Sequence, residues 1–202
     1  MLILLRHART SLNAQGRLQG QRDVSLDEVG IEQARSVGAY LRRHYDIATV
    51  ITSPLRRCIE TMDEAGLATA EVVIDDRWRE INFGSDEGRR IDGATVDFVA
   101  RWREDPDWVP DAGVESLAGL HRRVGSALEA AQAVVASLPK DRCALVVSHT
   151  LPVKSALAHS LGAGAPMILR VRVDVAAVST LSLSGASFSL RSFNERPFVG
   201  SP

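Results

Sequence analysis

"LILLRHARTSLN" (residues 2–13) begins with four apolar residues and turns at once to a cation and an imidazole, Arg6 and His7. An apolar run without alternation is what a central strand covered on both faces requires. Similar runs recur at 48–53 ("ATVITS"), 71–75 ("EVVID") and 143–149 ("CALVVSH"), and the same covered position is expected for each.

Patches of helical period lie between these runs. Within 25–45, Ala34, Val37, Leu41 and Tyr45 step by three and four, and within 115–138 so do Leu117, Leu120, Val124, Leu128, Ala131 and Val135. Strands alternating with amphipathic helices predict an α/β sandwich with a mostly parallel sheet. "STLSLSGASFSLRSF" (179–193) reads instead as a hairpin turning at Ser184, Gly185, Ala186 and Ser187. The sheet is therefore expected to be mixed. Residues 88–113 break both patterns and are read as a small insertion lying over the site, so that 1–202 form a single domain.

With 202 residues, 45% hydrophobic and 24% charged, the chain can bury a substantial core and is too apolar for a disordered segment. Its formal charge of −1 provides no general attraction to nucleic acid or to an anionic membrane, so any electropositive site must be local. Two distant cysteines, Cys58 and Cys143, suggest neither a disulfide framework nor a thiolate metal site. The first residues lack a signal-peptide pattern, and no apolar run approaches the ~20 residues of a membrane span. A cytoplasmic location is expected.

In open parallel sheets, ligands bind beyond the carboxyl ends of the strands. Four strand exits carry polar groups here: Arg6 and His7, then Arg56 and Arg57 after Ser53 and Pro54, then Glu80, then Ser148 and His149. Two imidazoles and a carboxylate are also a transition-metal ligand set, but neighbouring arginines would repel a metal, whereas guanidinium forks match phosphoryl oxygens. Dianion recognition is the better account, with neither metal nor cofactor required. In it a neutral His7 attacks phosphorus, Arg6, Arg57 and a protonated His149 stabilise the oxygens, and Glu80 protonates the leaving alkoxide.

The order of motifs then resembles the histidine phosphatase superfamily, which includes the cofactor-dependent phosphoglycerate mutases. "RHARTSLN" is similar to its Arg-His-Gly-x-Thr-x-x-Asn signature, "GRLQGQRDVSLDEVGIEQA" to its Gln-Gly loop, and "SPLRRCIET" to its Ser-x-Leu-x-Arg segment. "REINFGSDEG", "GVESLAGLHRRV" and "VSHT" resemble its glutamate loop, Gly-Glu-Ser helix and second-histidine strand end. The resemblance implies a three-layer α/β/α sandwich. It implies that Arg6, His7, Arg57 and His149 form a phosphate pocket, with His7 phosphorylated and Glu80 the proton donor. It also places Asn13, Gln19 and Gly20 among the substrate-binding positions. Ala8, Arg9 and Thr150 depart from the family's common residues, and none of these changes removes a catalytic group.

Each residue alone has a plainer explanation: a solvated strand end for Arg6 and His7, a satisfied core imidazole for His149, a surface carboxylate for Glu80, a turn cap for Asn13. Their ordered recurrence at strand exits favours chemistry. A metal-independent phosphatase acting on a small phosphorylated metabolite is the expectation, with a phosphoglycerate mutase or a non-catalytic phosphate-binding protein as rivals. Substrate identity and oligomeric state stay open, a homodimer included.

Overall fold

In the computed structural model, residues 1–91, 94–111, 113–185 and 187–198 are described. One six-stranded sheet runs through the molecule in the order β3-β2-β4-β1-β5-β6. Its strands are β1 (Leu2–Arg6), β2 (Asp46–Thr52), β3 (Glu71–Ile74), β4 (Arg142–Ser148), β5 (Val178–Ser184) and β6 (Ser187–Glu195). The first four are mutually parallel; β5 pairs antiparallel with β1, and β6 antiparallel with β5. The expected mixed, mostly parallel sheet is present.

Period-two alternation divides the buried strands between two cores. Leu2 and Leu4 of β1 and Ala144 and Val146 of β4 face helices α5 (Leu117–Ser137) and α6 (Thr150–Ser160). Ile3, Leu5, Leu145 and Val147 face the opposite way, onto α2 (Glu28–His44) and α3 (Arg56–Glu64), while the single-turn α1 (Ser11–Ala14) follows β1. This is a three-layer α/β/α sandwich. Leu2 to Leu5 are fully buried, and each buried leucine or isoleucine contributes roughly 1.5–3 kcal/mol relative to an exposed one. All six apolar residues named within 115–138 are buried in α5, as are Ala34, Val37 and Leu41 in α2. Tyr45 instead forms the C-cap of α2 and is only partly buried.

One strand departs from expectation. The unalternating run "EVVID" predicts cover on both faces, yet β3 is the sheet edge and exposed along its whole length, with Ile74 61% accessible. Its apolar side chains satisfy strand propensity and the strand pairs with β2, yet all four residues stay exposed; an unalternating run is therefore not sufficient for a central position. At the hairpin, Ser184 pairs with Ser187, while Ala186 of the expected turn lies outside the described residues. Of the insertion 88–113, residues 92, 93 and 112 also lie outside them, and the described part carries α4 (Ala94–Glu104).

Candidate active site

Sheet register assembles the site. Arg6 pairs with Ser148, and the ladder continues one step as His7 N–H donates to the Ser148 carbonyl at 2.8 Å. Thr52 pairs with Val147, and Ser53 N–H donates to the Val147 carbonyl at 3.0 Å. The carboxyl ends of β1, β2 and β4 thus deliver His7, Ser53 and His149 to one rim, with the two imidazole centroids 5.2 Å apart. Thr61 of α3 braces this rim by accepting from Ala8 N–H at 3.0 Å and donating to the Arg57 carbonyl at 2.6 Å.

Hydrogen bonding fixes both imidazole tautomers. His7 Nδ1 lies 2.8 Å from the Ala8 carbonyl, which can only accept, so Nδ1 carries the proton and Nε2 keeps its lone pair. At His149 the order is reversed. Arg57 Nε donates to Nδ1 at 3.1 Å, so the ring proton sits on Nε2, 2.8 Å from Ser53 Oγ. Burial, reinforced by the adjacent arginines, holds both imidazoles well below the usual histidine value, and both are neutral near pH 7. The sequence predicts a protonated His149 holding phosphate; here burial, then Arg57, favours the neutral ring, which accepts from that arginine.

Arg57, in the first turn of α3, is fully buried and anchors each of its three nitrogens to the protein, which leaves two of its five N–H donors for the cavity that it lines. Besides His149 it reaches the Arg22 carbonyl (Nη1, 2.7 Å) and the Gly20 carbonyl (Nη2, 2.8 Å). Arg56 points away and pairs with Glu60 on an exposed helix face. Arg6 donates Nη1 to the Val173 carbonyl at 2.6 Å, while its buried Nε has no partner among the described residues. Burial draws Arg6 down to about 10, which leaves it charged at neutral pH. A buried, unmatched guanidinium N–H is what an oxyanion would satisfy.

Glu80 is 8% exposed. Its Oε1 accepts from Ile81 N–H at 3.0 Å, and the Leu151 N–H in the first turn of α6 approaches both oxygens at 3.3 and 3.4 Å. Burial raises its pKa against the opposing pull of those amides and of Arg57 and Arg6. The backbone around it is tied down, because Gln21 Nε2 donates to its carbonyl and Ser148 Oγ donates to that of Trp78. A carboxyl whose burial favours the protonated form and a free imidazole lone pair on one cavity wall are the groups that an acid and a nucleophile require.

That cavity has a volume of about 620 Å³, and Arg6, His7, Arg57 and Glu80 line it. His149 does not line it and lies behind Arg57, fully buried. Asn13, Gln19 and Gly20 are at the wall, and each is also structural. Asn13 Oδ1 closes a capping box with Thr10, and Gln19 Oε1 accepts from Thr10 Oγ1 at 3.0 Å. Gly20 has φ +52°, and a Cβ there would lie 2.0 Å from Glu87 Oε1. That carboxylate accepts from Gln21 N–H at 2.7 Å and so ties the loop in place.

Sequence spacing does not reveal Lys154 or Arg17, cations on the same wall, nor Phe83. Lys154 follows Thr150 by four residues on α6, a helical step that would signal its direction were the helix start anchored. Phe98, Trp102 and Arg103 of the insertion line the cavity too, and Trp102 is at the same time core, its Nε1 donating to the Trp108 carbonyl. The metal alternative fails on geometry: both His149 nitrogens are committed, one to a guanidinium and the other to a hydroxyl. Cys58, although 3.4 Å from His149 Nε2, is pushed up to about 12 by burial and is no thiolate.

The model of the histidine phosphatase superfamily (branch 1) matches residues 2–196. Among curated proteins, the bifunctional protein Rv2228c of Mycobacterium tuberculosis is 35% identical over 204 residues, covering 98% of this chain and 54% of its own length. The chain thus spans about half of that relative. Phosphoserine phosphatase 1 of Hydrogenobacter thermophilus is 32% identical, with 96% of this chain and 87% of that protein covered. Among solved structures, the mycobacterial glucosyl-3-phosphoglycerate phosphatase in complex with VO3 superposes with a TM-score of 0.80 at 29% identity, covering 96% of this chain and 98% of that one. A match that runs from the first strand to the end of the last, over a sheet whose carboxyl rim unites His7, Arg57 and His149, places the chain in the histidine phosphatase superfamily.

Proposed function

We propose that the protein is a metal-independent phosphatase that hydrolyses a small phosphomonoester through a phosphohistidine on His7. The observation that carries this is the Nδ1–H of His7 locked onto the Ala8 carbonyl, which leaves Nε2 unprotonated on a residue lining the cavity. In the first step Nε2 bonds to phosphorus as the ester P–O bond breaks, and Glu80 gives its proton to the departing alkoxide oxygen. In the second, the Glu80 carboxylate takes a proton from water, the resulting hydroxide attacks phosphorus, and the P–N bond breaks to release phosphate. Arg6 and Arg57 hold the equatorial oxygens throughout, aided by the positive end of α6.

Membership of a family whose relatives bear phosphatase names supports this reading, as does the raised pKa of Glu80. Phe98, Trp102 and Arg103, from the described part of the insertion, form in it the outer wall of the phosphate pocket. A reducing, cytoplasmic setting goes with the two free, buried cysteines; none of the described helices is long and apolar enough to cross a membrane.

A phosphomonoester panel tests the proposal, with rapid quench to trap label from the substrate's phosphate. Release of phosphate from at least one ester, with an acid-labile labelled enzyme that His7→Ala does not form, is the expected outcome. Label that persists in His7→Ala refutes the nucleophile. Isomer exchange of phosphoglycerate exceeding phosphate release would make the protein a mutase, and tight phosphate binding without any turnover a binding protein.

A further inference from the structure

A second cavity, of about 390 Å³, adjoins the first: Arg6, Asn13 and Ile91 line both. Its own wall carries Arg9, Arg172 and Arg196 with one acid, Asp174. Arg9 gives its Nε to Asp27, Arg172 Nε lies 2.9 Å from Asp174 Oδ1, and Arg196 Nε 3.9 Å from Asp174 Oδ2. Three guanidiniums therefore share two carboxylates, and Arg6 adds a fourth cation whose buried Nε has no partner among the described residues. Among the described residues the terminal nitrogens of Arg9, Arg172 and Arg196 make no hydrogen bond to protein. Their forks are held at one edge and open at the other.

The backbone that presents them is unusual as well. Among the described residues, the non-glycine positions with positive φ are Ala176 (52°) and Asn194 (53°). One lies in the segment that carries Arg172, the other in that leading to Arg196. A Cβ disfavours this conformation, and alanine has no side-chain hydrogen bond to offset it. Both are pinned from outside: Ala176 N–H donates to the His7 carbonyl at 3.1 Å, and Asn194 N–H to Ser179 Oγ at 3.1 Å. Asn194 in turn grips Asp174, accepting from its N–H at 2.8 Å and donating to Oδ2 at 3.0 Å. The acid that orients two arginines is thus itself fixed, and its segment is bonded directly to the candidate nucleophile. Strained backbone of this kind persists at ligand sites, where its surroundings over-determine it.

We propose that this cavity is a second oxyanion site, which takes a phosphate group on the far side of Arg6 from the catalytic pocket. Excess positive charge, open guanidinium forks and a braced backbone fit a phosphate better than a neutral or cationic ligand. The phosphate comes either from the distal end of a substrate that passes Arg6 or from a separate small phosphorylated molecule. The first source rests on the phosphatase reading; the site itself does not.

The full chain is titrated with inorganic phosphate by calorimetry, with and without saturating vanadate to occupy the catalytic pocket. A phosphate-binding event that persists under vanadate is expected. The double variant Arg172→Gln/Arg196→Gln removes two charge-assisted donors and should weaken that event at least about tenfold. Arg172→Lys/Arg196→Lys, which retains both charges, should restore part of it. Both pairs are exposed side chains, and their melting curves check that the fold is kept. No event under vanadate, or one that the Gln variant leaves intact, overturns the site.

Comparing kcat/KM for a short alkanediol monophosphate with that of its bisphosphate identifies the source. An advantage of the bisphosphate that disappears in the Gln variant assigns the site to substrate. Equal values beside a persistent phosphate event assign it to a separate ligand. Failure of vanadate to bind, with that event intact, counts against the phosphatase reading alone.

Discussion

Arg57 Nε donates to His149 Nδ1 across 3.1 Å, and the same guanidinium holds the carbonyls of Gly20 and Arg22. One buried cation therefore sets the tautomer of the second histidine and ties the 16–22 loop to the sheet rim. The consequence is electrostatic preorganisation: the guanidinium plane is fixed before any anion arrives, so little reorganisation accompanies reaction.

Arg57→Lys keeps the charge and loses the fork. An ammonium cannot reach two carbonyls and an imidazole from one plane, so His149 and the loop lose their common anchor. A fall in kcat/KM of about 10²–10³ is expected, the usual scale for removing a preorganised donor. Steady-state kinetics on any accepted ester checks it; a change under tenfold would mean that the charge alone suffices.

Gly20→Ala should act through the same anchor. The added Cβ meets φ +52° and would lie 2.0 Å from Glu87 Oε1, so the carboxylate must leave the Gln21 amide. The left-handed conformation alone destabilises a non-glycine residue by about 1–2 kcal/mol. A lower melting temperature with a raised KM is expected, and wild-type values in both would show that the loop's position is immaterial.

Much of this is legible in the sequence because strand exits are marked locally. An apolar run followed by Arg-His or Ser-His states both where a strand ends and what it presents, and the ordered motifs carry His7, Arg57, Glu80 and His149 to one rim. Three things are not legible. Strand order is a property of packing, so the apolar β3 gives no sign that it lies at the edge. Protonation depends on burial and on neighbours brought from elsewhere in the chain: His149 is held low by burial and then by Arg57, 92 residues away. Pairings across helices are equally hidden: His121 and His159, which no motif singles out, stack at 3.8 Å between α5 and α6.

Acid should unfold the protein through its buried imidazoles. Burial, then Arg57, holds His7 and His149 well below 6.5 in the folded state, whereas an unfolded histidine takes up a proton near 6.5. The unfolded chain thus binds more protons, and stability is lost as pH falls below that value, by up to about 1.4 kcal/mol per pH unit for each imidazole. Denaturant titrations from pH 7.5 downward should show the loss, with a shallower slope for His149→Gln. An unchanged slope would mean that His149 is not neutral in the folded state.

Metal removal should leave turnover as it was. Arg6 and Arg57 supply the charge that a divalent cation would otherwise bring to the phosphate, and His149 has no free lone pair to offer one. Dialysis against a chelator followed by assay is the check. Loss of activity that added metal restores would overturn the role given to the arginines.

Glu80→Gln separates acid catalysis from stability, because the two respond oppositely. Burial raises the carboxyl's pKa in the folded state, so its contribution to stability is intact below the unfolded value near 4.3 and is lost as pH rises through the folded one. An uncharged glutamine removes that loss, and the variant should melt no lower than wild type at pH 8 while its relative advantage fades toward pH 4. Turnover moves the other way: without a proton to give, kcat should drop by about 10²–10⁴ for esters of poor leaving groups. Esters whose alkoxide leaves unaided should be spared in the first step, and the alkaline limb of the wild-type kcat/KM profile should vanish. Equal losses for good and poor leaving groups would assign the proton to another residue.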